Sequence, residues 1–422
     1  MRHRTGPEAR LPRRSPSRPG PRAGRGGRGG RRPRDVHDPA AGRRPGSPCP
    51  GSRTGRVIVV TSAVDTAEAR TAGPIDLTVV RDEVERVAEE FLAAKAATAA
   101  GCGHPPEVVR ILRDFLASGG KRVRPLLCVV GWYAAGGRGD MTAVLRAAAS
   151  LELYQTFVLI HDDIIDDSAV RRGRPAVHRA LAARHSRLES AARLGAGGAL
   201  LAGNLALIWS QELLHTLGLP AERLRAVHRV NDAMLAEVMF GQYRDLLGAE
   251  RVDDDVESAL GIIRYKTAAG TIQRPLQLGV AVGGGGQTAL EFCTAFGVPL
   301  GEAFQLRDDL LDVYGSADGS SDPGLNDLRE GKHTVLMALA MRSATAAQRV
   351  RLRALVGRAD LDEGGAAEIR GVLGSTGARD AVEQMISARY HQCLGVLDAA
   401  PLPPAAATAL RELAVTATQY TA

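Results

Sequence analysis

Two copies of the acidic pattern Asp-Asp-X-X-Asp carry the strongest chemical signal in this sequence. Each copy lies in a strongly apolar stretch, and together they comprise Asp162, Asp163, Asp166, Asp308, Asp309 and Asp312. On a helix, spacings of three and four residues place carboxylates on neighbouring faces, where like charges repel unless a cation lies between them. Such oxygen ligands suit Mg²⁺, which proteins commonly share with substrate phosphates. One copy alone is compatible with a solvated acidic helix end, but two copies indicate two walls that face one cavity.

Lysine is rare in this chain and occurs in distinctive places. Of the 54 Lys and Arg residues only four are lysines: Lys95, Lys121, Lys266 and Lys332. The last three lie in the segments GGKRVRP, KTA and EGKHT. A compact ammonium binds one phosphate oxygen where a planar guanidinium would not fit. These three lysines are therefore candidates for binding phosphate, although lysine at a helix end is the simpler alternative.

A basic segment, Arg171-Arg172-Gly173-Arg174-Pro175, follows the first acidic motif directly. Its arginines could pair with the neighbouring aspartates, or they could bind a polyanion that a metal ion also bridges. Acidic walls for metal, basic rims for phosphate and apolar helices together indicate a ligand with a diphosphate head and a hydrocarbon tail.

The elements that must position these residues are helices. Ala, Leu, Arg and Glu dominate the middle of the chain, aromatic residues make up only 4%, and no strand–helix alternation is visible. Asp76 is placed to cap a helix that runs to about Ala100. Further helices are predicted over roughly 106–117, 122–135, 140–167, 187–217, 220–247, 255–283, 287–315, 333–343, 346–357, 362–374, 377–398 and 403–419. The predicted fold class is all-α, a single large helical bundle around a central apolar cavity.

The first part of the chain differs in composition from the rest. Residues 1–56 contain 16 Arg against three acidic residues, a net charge of +13, so the remainder of a chain with net charge +7 carries −6. The 10 Pro and 11 Gly of this segment leave little apolar surface to bury, which predicts disorder. Its RGG-like run resembles an RNA-binding tract, but upstream DNA read from a misassigned start codon explains it as well. We therefore predict a disordered tail over 1–73, a catalytic domain over 74–422 and no nucleic-acid partner.

Composition also bears on the compartment. No run of 18 uninterrupted apolar residues occurs, and the short apolar run after the basic tail does not suit a signal peptide. The five cysteines are scattered without metal-ligand spacing, which suggests reduced thiols. We expect a cytoplasmic protein without stable membrane insertion.

Six segments of the chain resemble, in order, the successive motifs of the trans-isoprenyl diphosphate synthases, also called the polyprenyl synthetase family. They are GGKRVRP, HDDIIDDSAVRRGRPAVH, GQYRDL, KTAAGTIQRPLQLG, FQLRDDLLDVYG and DLREGKHT, and the resemblance covers roughly residues 76–420. It implies an all-α fold, a homodimer, Mg²⁺ as cofactor, and condensation of isopentenyl diphosphate with an allylic diphosphate.

The resemblance also implies roles for individual residues. Those expected to bind the isopentenyl diphosphate are Lys121, Arg124, Gln155 and Arg172. Those expected at the allylic diphosphate are Arg171, Lys266, Thr267 and Gln305. The implied Mg²⁺ ligands are Asp162, Asp166, Asp308 and Asp312, with Asp163 and Asp309 in support. Asp162, Asp166, Asp308 and Lys266 would then take part directly in catalysis.

Two positions depart from the family pattern. Counted without gaps back from Lys332, Asp322 stands where many members have a lysine for the allylic diphosphate. Asn204 stands where Asp is common. The first departure questions full-strength allylic binding, whereas the second could be structural only.

Two other functions were weighed against this one. A class I terpene cyclase shares the aspartate motif, but its second metal motif fails here because Asn231-Asp232 is followed by Leu235 and Met239. A catalytically weak partner subunit usually lacks one acidic motif, and both are intact in this chain.

Product length is expected to depend on side chains about one turn before Asp162. Val158 is small and lies nearly beneath Asp162 on the helix, while Phe157 is rotated by about 100° and reaches in only from the side. One aromatic with a small neighbour resembles the geranylgeranyl type. The prediction is therefore geranylgeranyl diphosphate, with farnesyl diphosphate or a longer product as the alternatives.

Overall fold

The computed structural model describes residues 74–249, 251–315 and 325–418, and this part of the chain is almost entirely helical. The predicted all-α fold class is confirmed. The α-helices are α1 (Leu77–Gly101), α2 (Glu107–Ala117), α3 (Val123–Ala134), α4 (Thr142–Ile165), α5 (Val177–Arg184), α6 (Ala191–His215), α7 (Ala221–Gly248), α8 (Val256–Ile262), α9 (Arg274–Gly283), α10 (Gln287–Tyr314), α11 (Asn326–Glu330), α12 (Val335–Ser343), α13 (Ala346–Leu355), α14 (Glu363–Ser375), α15 (Ala378–Ala399) and α16 (Pro404–Thr418). The predicted tail, residues 1–73, lies outside the described residues.

Local sequence explains where several of these helices begin. The Asp76 carboxylate accepts hydrogen bonds from the backbone N–H groups of Thr78 and Val79, so the predicted cap of α1 is confirmed. Thr345 and Gln348 form a reciprocal capping box at the start of α13. A two-residue hairpin, β1 (Val170–Arg171) with β2 (Arg174–Pro175), follows the first acidic motif and was not predicted.

Helix α4 lies in the core and carries the first acidic motif at its end. Its residues Leu151, Leu153 and Ile160 are fully buried, and the helix packs against α3, α6 and α9. Removal of this much apolar surface from water holds α4 in place and thereby fixes the carboxylates that follow it.

The helical run from Val256 to Gly283 contains a π-helix over Ile263–Gln273, between α8 and α9. In a π-helix each backbone bond closes on the fifth residue instead of the fourth, and such segments are often found at functional sites. Glycines of both neighbouring helices make room for it. A Cβ on Gly241 of α7 would lie 2.3 Å from the backbone nitrogen of Lys266, and one on Gly301 of α10 would lie 2.4 Å from the Cα of Ala268.

Within residues 74–249, 251–315 and 325–418, the two helices α4 and α6 are long and apolar enough to cross a membrane by length and composition alone. The most apolar stretch of α4 is 72% buried inside the protein, as expected of a core helix, whereas the most apolar stretch of α6 is only 28% buried. The outer face of α6 and the neighbouring α7 together expose Leu200, Leu201, Ile208, Met239, Phe240, Tyr243, Leu246 and Leu247. We call these eight residues the α6–α7 face.

The expectation of reduced thiols is met by three cysteines. Cys128, Cys293 and Cys393 are free and buried.

Candidate active site

The first acidic motif splits between two environments at the end of α4. Asp162 and Asp166 are joined by a hydrogen bond from the backbone N–H of Asp166 to the carbonyl of Asp162, the last turn of the helix. Asp163 is instead fully buried, and its Oδ1 accepts a hydrogen bond of 2.7 Å from Nε of Arg171 on β1. Its Oδ2 has no partner among the described residues. The side chains of Asp162 and Asp166 stay partly exposed, whereas Asp163 mainly holds Arg171.

Asp162 is paired with a lysine from the π-helix. The Lys266 Nζ lies 3.1 Å from Asp162 Oδ1 and 2.6 Å from Asp245 Oδ2 on α7. Burial alone would raise the pKa of Asp162, but Lys266, Lys332 and Arg171 outweigh it and lower the pKa. Burial would likewise lower the pKa of Lys266, and the two carboxylates raise it instead. The pair is thus ionised across the neutral pH range.

The second acidic motif lies on α10 and faces the same region. Asp308 is exposed, while Asp309 is buried and accepts a hydrogen bond of 2.8 Å from Nε2 of Gln305, one turn earlier. The amide oxygen of Gln305 accepts in turn from the hydroxyl of Thr267, also at 2.8 Å. Lys266 and Thr267, adjacent on the π-helix, therefore connect the first motif with the second.

Lys332 also connects the two motifs. Its Nζ lies 3.6 Å from Asp166 on the first wall, 3.2 Å from Asp327 on the second wall and 2.8 Å from Glu330. Asp327 belongs to α11, and its backbone N–H donates to Asp312 Oδ2 at 3.0 Å. These acids raise the pKa of Lys332 despite its burial.

Two carboxylates of this cluster have raised pKa values, so they bind a proton more readily than an ordinary carboxylate does. Burial and then the charge of Asp162 raise the pKa of Asp166 to about 6, although Lys332 opposes the shift. Burial and then the charge of Asp327 raise the pKa of Asp312 to about 7. Crowded carboxylates of this kind are stabilised by a divalent cation.

The donor set fits Mg²⁺ that is shared with a substrate. Among the described residues, no three carboxylate, imidazole or thiol side chains converge into a complete metal site. Mg²⁺ is usually held by one or two carboxylates together with water and substrate phosphates. Asp162 and Asp166 on one wall, and Asp308 and Asp312 on the other, supply such partial ligand sets.

A second group of basic residues surrounds the loop between α2 and α3. Arg124 donates from Nε to the carbonyl of Gly270 and from Nη2 to the Thr271 hydroxyl, at 3.1 and 2.6 Å. Arg172, at the hairpin tip, donates to the Ser118 hydroxyl at 3.4 Å and lies over the Phe115 ring.

Lys121 and Gln155 complete this second group. The exposed Lys121 places its Nζ 5.8 Å from the ring centroid of Phe304, next to Gln305 on α10. Gln155 lies on α4 with a buried Oε1 that accepts no hydrogen bond within the described residues. The expected isopentenyl-binding residues therefore occupy neighbouring elements, and their roles stay predictions.

Phe157 and Val158 point to different sides of α4. Phe157 is buried between the rings of Tyr154 and His161, with centroid distances of 6.5 and 4.6 Å. Val158 is partly buried and, at three and four residues from Gln155 and Asp162, shares their helix face. Val158 is thus the better placed of the two to meet a chain bound beneath Asp162.

Sequence reasoning missed two acidic residues of the site. Asp245 and Asp327 were inside the quoted segments GQYRDL and DLREGKHT, but a single sequence gave them no partner. The rarity of lysine was the usable signal, because Lys266 and Lys332 lead directly to them. Of the two departures, Asp322 lies outside the described residues, and Asn204 is exposed on α6.

Comparisons with known proteins identify one family. Residues 105–371 match the polyprenyl synthetase family. Among solved structures, the geranylgeranyl pyrophosphate synthase from Corynebacterium glutamicum, complexed with isoprenyl diphosphate and magnesium, has a TM-score of 0.77 and 39% identity, over 82% of this chain and 99% of its own.

Two curated relatives show the range of products in this group. The short chain isoprenyl diphosphate synthase of Methanothermobacter thermautotrophicus is 33% identical over 61% of this chain and 74% of its own length. The nonaprenyl diphosphate synthase of Mycobacterium tuberculosis is 31% identical over 65% of this chain and 77% of its own. Similarity at this level therefore does not fix the length of the product.

Proposed function

The chain belongs to the polyprenyl synthetase family, and we propose that it condenses isopentenyl diphosphate with an allylic diphosphate to form geranylgeranyl diphosphate. The observation that supports this most is the junction of the two aspartate motifs through Lys266, Thr267 and Lys332. This arrangement offers an anionic wall on each side and cations between them, which suits a diphosphate bound with metal ions.

The allylic diphosphate would bind between the two walls. Lys266, Arg171 and Gln305 would contact its phosphate oxygens, and Thr267 would hold the amide of Gln305 in place, as it does here at 2.8 Å. As the bond between carbon and diphosphate oxygen breaks, negative charge builds on the leaving group. Cations and hydrogen-bond donors already fixed at that position lower the barrier because they need no reorganisation.

The isopentenyl diphosphate would bind at Lys121, Arg124, Arg172 and Gln155. Its double bond then attacks the allylic cation, a new carbon–carbon bond forms, and a proton is lost to the released diphosphate. The apolar core beside α4 excludes water, which would otherwise capture the cation.

Mg²⁺ fits the carboxylates described above and would be held by Asp162, Asp166, Asp308 and Asp312. When bound, it supplies positive charge that neutralises the diphosphate. Asp163 and Asp309, which are buried and hydrogen-bonded to Arg171 and Gln305, would support these ligands indirectly.

Binding of Mg²⁺ is expected to compete with protons. The pKa values of Asp166 and Asp312 are raised in the folded protein, to about 6 and about 7, so the metal-free fold loses stability as pH rises from the ordinary carboxyl pKa of about 4 to about 7. Mg²⁺ needs both groups ionised, and we expect its apparent affinity to be roughly a hundredfold weaker at pH 5.5 than at pH 8. The melting temperature measured against Mg²⁺ concentration at both pH values tests this. Asp312→Asn should flatten the difference, and an equal Mg²⁺ response at both pH values in the wild type would contradict it.

The length of the product tests both the proposed function and which side chains close the far end of the binding site. Purified protein with Mg²⁺, labelled isopentenyl diphosphate and dimethylallyl, geranyl or farnesyl diphosphate is expected to yield the twenty-carbon product. Val158→Phe should shorten the product, because a ring would then lie on the helix face below Asp162. Phe157→Ala should lengthen it only if the Phe157 ring reaches the chain from the side.

The outcomes of this experiment are distinct. No turnover by the purified chain would refute the proposed synthase and favour a partner subunit. If neither variant changes the product distribution, other side chains close the far end of the binding site, whatever the wild-type length proves to be.

We further propose that the active form is a cytoplasmic homodimer in which the α6–α7 face is buried. An apolar surface of this extent is unusual on a monomer and typical of subunit interfaces, and its burial would account for apolar α6 without a membrane. Sedimentation velocity should give twice the chain mass of 44.5 kDa. Phe240→Asp should dissociate the dimer, while Val350→Asp, equally exposed at 68% on α13, should not. A monomeric wild type would refute this proposal.

A further inference from the structure

Arg122 has an unusual backbone in the loop that leads into α3. It is the middle basic residue of GGKRVRP, and its φ of 52° lies in the left-handed region. A side chain other than glycine seldom adopts this conformation, which costs on the order of 1 kcal/mol unless surrounding contacts hold it. The contacts of the Arg122 side chain keep the backbone in this conformation.

The guanidinium of Arg122 is buried and bonded on every side. Nε lies 2.8 Å from Glu85 Oε1 on α1, Nη2 donates to the carbonyl of Leu116 at 2.7 Å, and Nη1 is paired with Glu152 on α4. The Arg122 and Glu152 side chains are each only 6% exposed. A planar fork of donors fits three acceptors in this way, and lysine could not reproduce it.

The neighbours of Arg122 point away from this anchor and toward the site. Lys121 is exposed toward Phe304, and Arg124 reaches the π-helix at Gly270. Glu152 lies three residues before Gln155 on α4 and attracts both Arg124 and Arg172 electrostatically. The Arg122–Glu152 pair thus lies behind four residues that were assigned to the isopentenyl diphosphate.

We propose that Arg122 and Glu152 are positioning residues for the isopentenyl diphosphate. Neither touches the substrate. Arg122 fixes the left-handed turn that separates Lys121 from Arg124, and Glu152 fixes Arg122 against the helix that carries Gln155. This inference rests on the proposed function, because it concerns one substrate of that reaction and leaves the other unaffected.

The test separates the two substrates. Arg122→Met and Glu152→Gln are expected to raise the KM for isopentenyl diphosphate roughly tenfold, since a misplaced contact weakens binding and alignment together. The KM for the allylic diphosphate and the Mg²⁺ requirement should change less than about twofold. Arg122→Lys should lie between wild type and Arg122→Met. Arg113→Met, which breaks an exposed pair with Glu89, is the matched control and should change neither KM.

Loss of one member of a buried pair can also unfold the protein, so a second variant is needed. Arg122→Met/Glu152→Met removes both charges, which often restores stability. A double variant that melts near the wild-type temperature and still has a raised KM for isopentenyl diphosphate alone supports the proposal. An unchanged KM, or an equal rise for both substrates, overturns it. A wild type without any turnover would refute the proposed function instead, so the two failures are distinguishable.

Discussion

Asp162→Asn and Asp308→Asn are each expected to lower kcat by roughly 10³-fold, or about 4 kcal/mol of transition-state stabilisation. Asn keeps the shape of Asp but lacks the charge that, in the proposed function, would hold a divalent cation between the two walls. The effect should appear in steady-state turnover at saturating substrates. The melting temperature should fall by only a few degrees, because Asp308 is exposed and an amide in place of the Asp162 carboxylate could still accept a hydrogen bond from Lys266.

Asp167→Asn provides the matched control for this prediction. Asp167 is the next residue of the same acidic run, but its exposed carboxylate pairs with Arg179 at 2.6 Å. Its φ of 51° suits Asn as well as Asp. Turnover of this variant should stay within about threefold of wild type. Equal losses in Asp167→Asn and Asp162→Asn would mean that total charge, and not metal ligation, explains the effect.

The second large effect is expected from Lys332→Met. Lys332 is 27% exposed and compensates three acids, Asp166, Asp327 and Glu330. Without it these carboxylates repel one another in a partly buried site, and we expect the free energy of unfolding to fall by about 2–3 kcal/mol. Turnover should fall as well, because the two walls lose the cation that connects them. Denaturant unfolding with and without Mg²⁺ measures the change, and Mg²⁺ should restore part of the loss.

Lys95→Met is the control for Lys332→Met. Lys95 also forms an ion pair, but with the single acid Glu212, at a position remote from both aspartate motifs. Its replacement should cost less than about 1 kcal/mol. If the two lysine variants lose similar stability, Lys332 does not hold the walls together, and the acids around it must be compensated in another way.

The sequence predicted the long helices well because each depends on features that one sequence displays. The capped start of α1 at Asp76 and the extents of α4, α6 and α10 follow from periodicity and from Gly and Pro positions. The sequence analysis missed α5, α11 and the hairpin of β1 and β2, because each of these elements is too short to show a periodic pattern of apolar residues. It also missed the π-helix, since apolar spacing alone does not distinguish a π-turn from an α-turn.

The sequence singled out the residues of the proposed site but not the connections between them. In the structure Lys266 contacts Asp162, and the adjacent Thr267 contacts Gln305. The pairing of Lys266 with Asp245 depends on how α7 packs on the π-helix at Gly241, a contact between segments that no local pattern encodes. The left-handed backbone of Arg122 depends likewise on Glu152, thirty residues away.

The π-helix makes the run from Val256 to Gly283 longer in sequence than in space. Each turn that closes on the fifth residue takes up one residue more than its axial length requires. Deletion of one residue within Ile263–Gln273 would let such a turn relax to α winding, and the helix on either side would keep the face that it presents. The same deletion in α9 ahead of Gly279 would instead rotate everything after it by about 100°. Gly279, where a Cβ would lie 1.8 Å from the carbonyl oxygen of Cys128, would then leave its contact with α3. The π-helix is therefore the part of this run in which the chain can lose a residue without turning α9 away from α3.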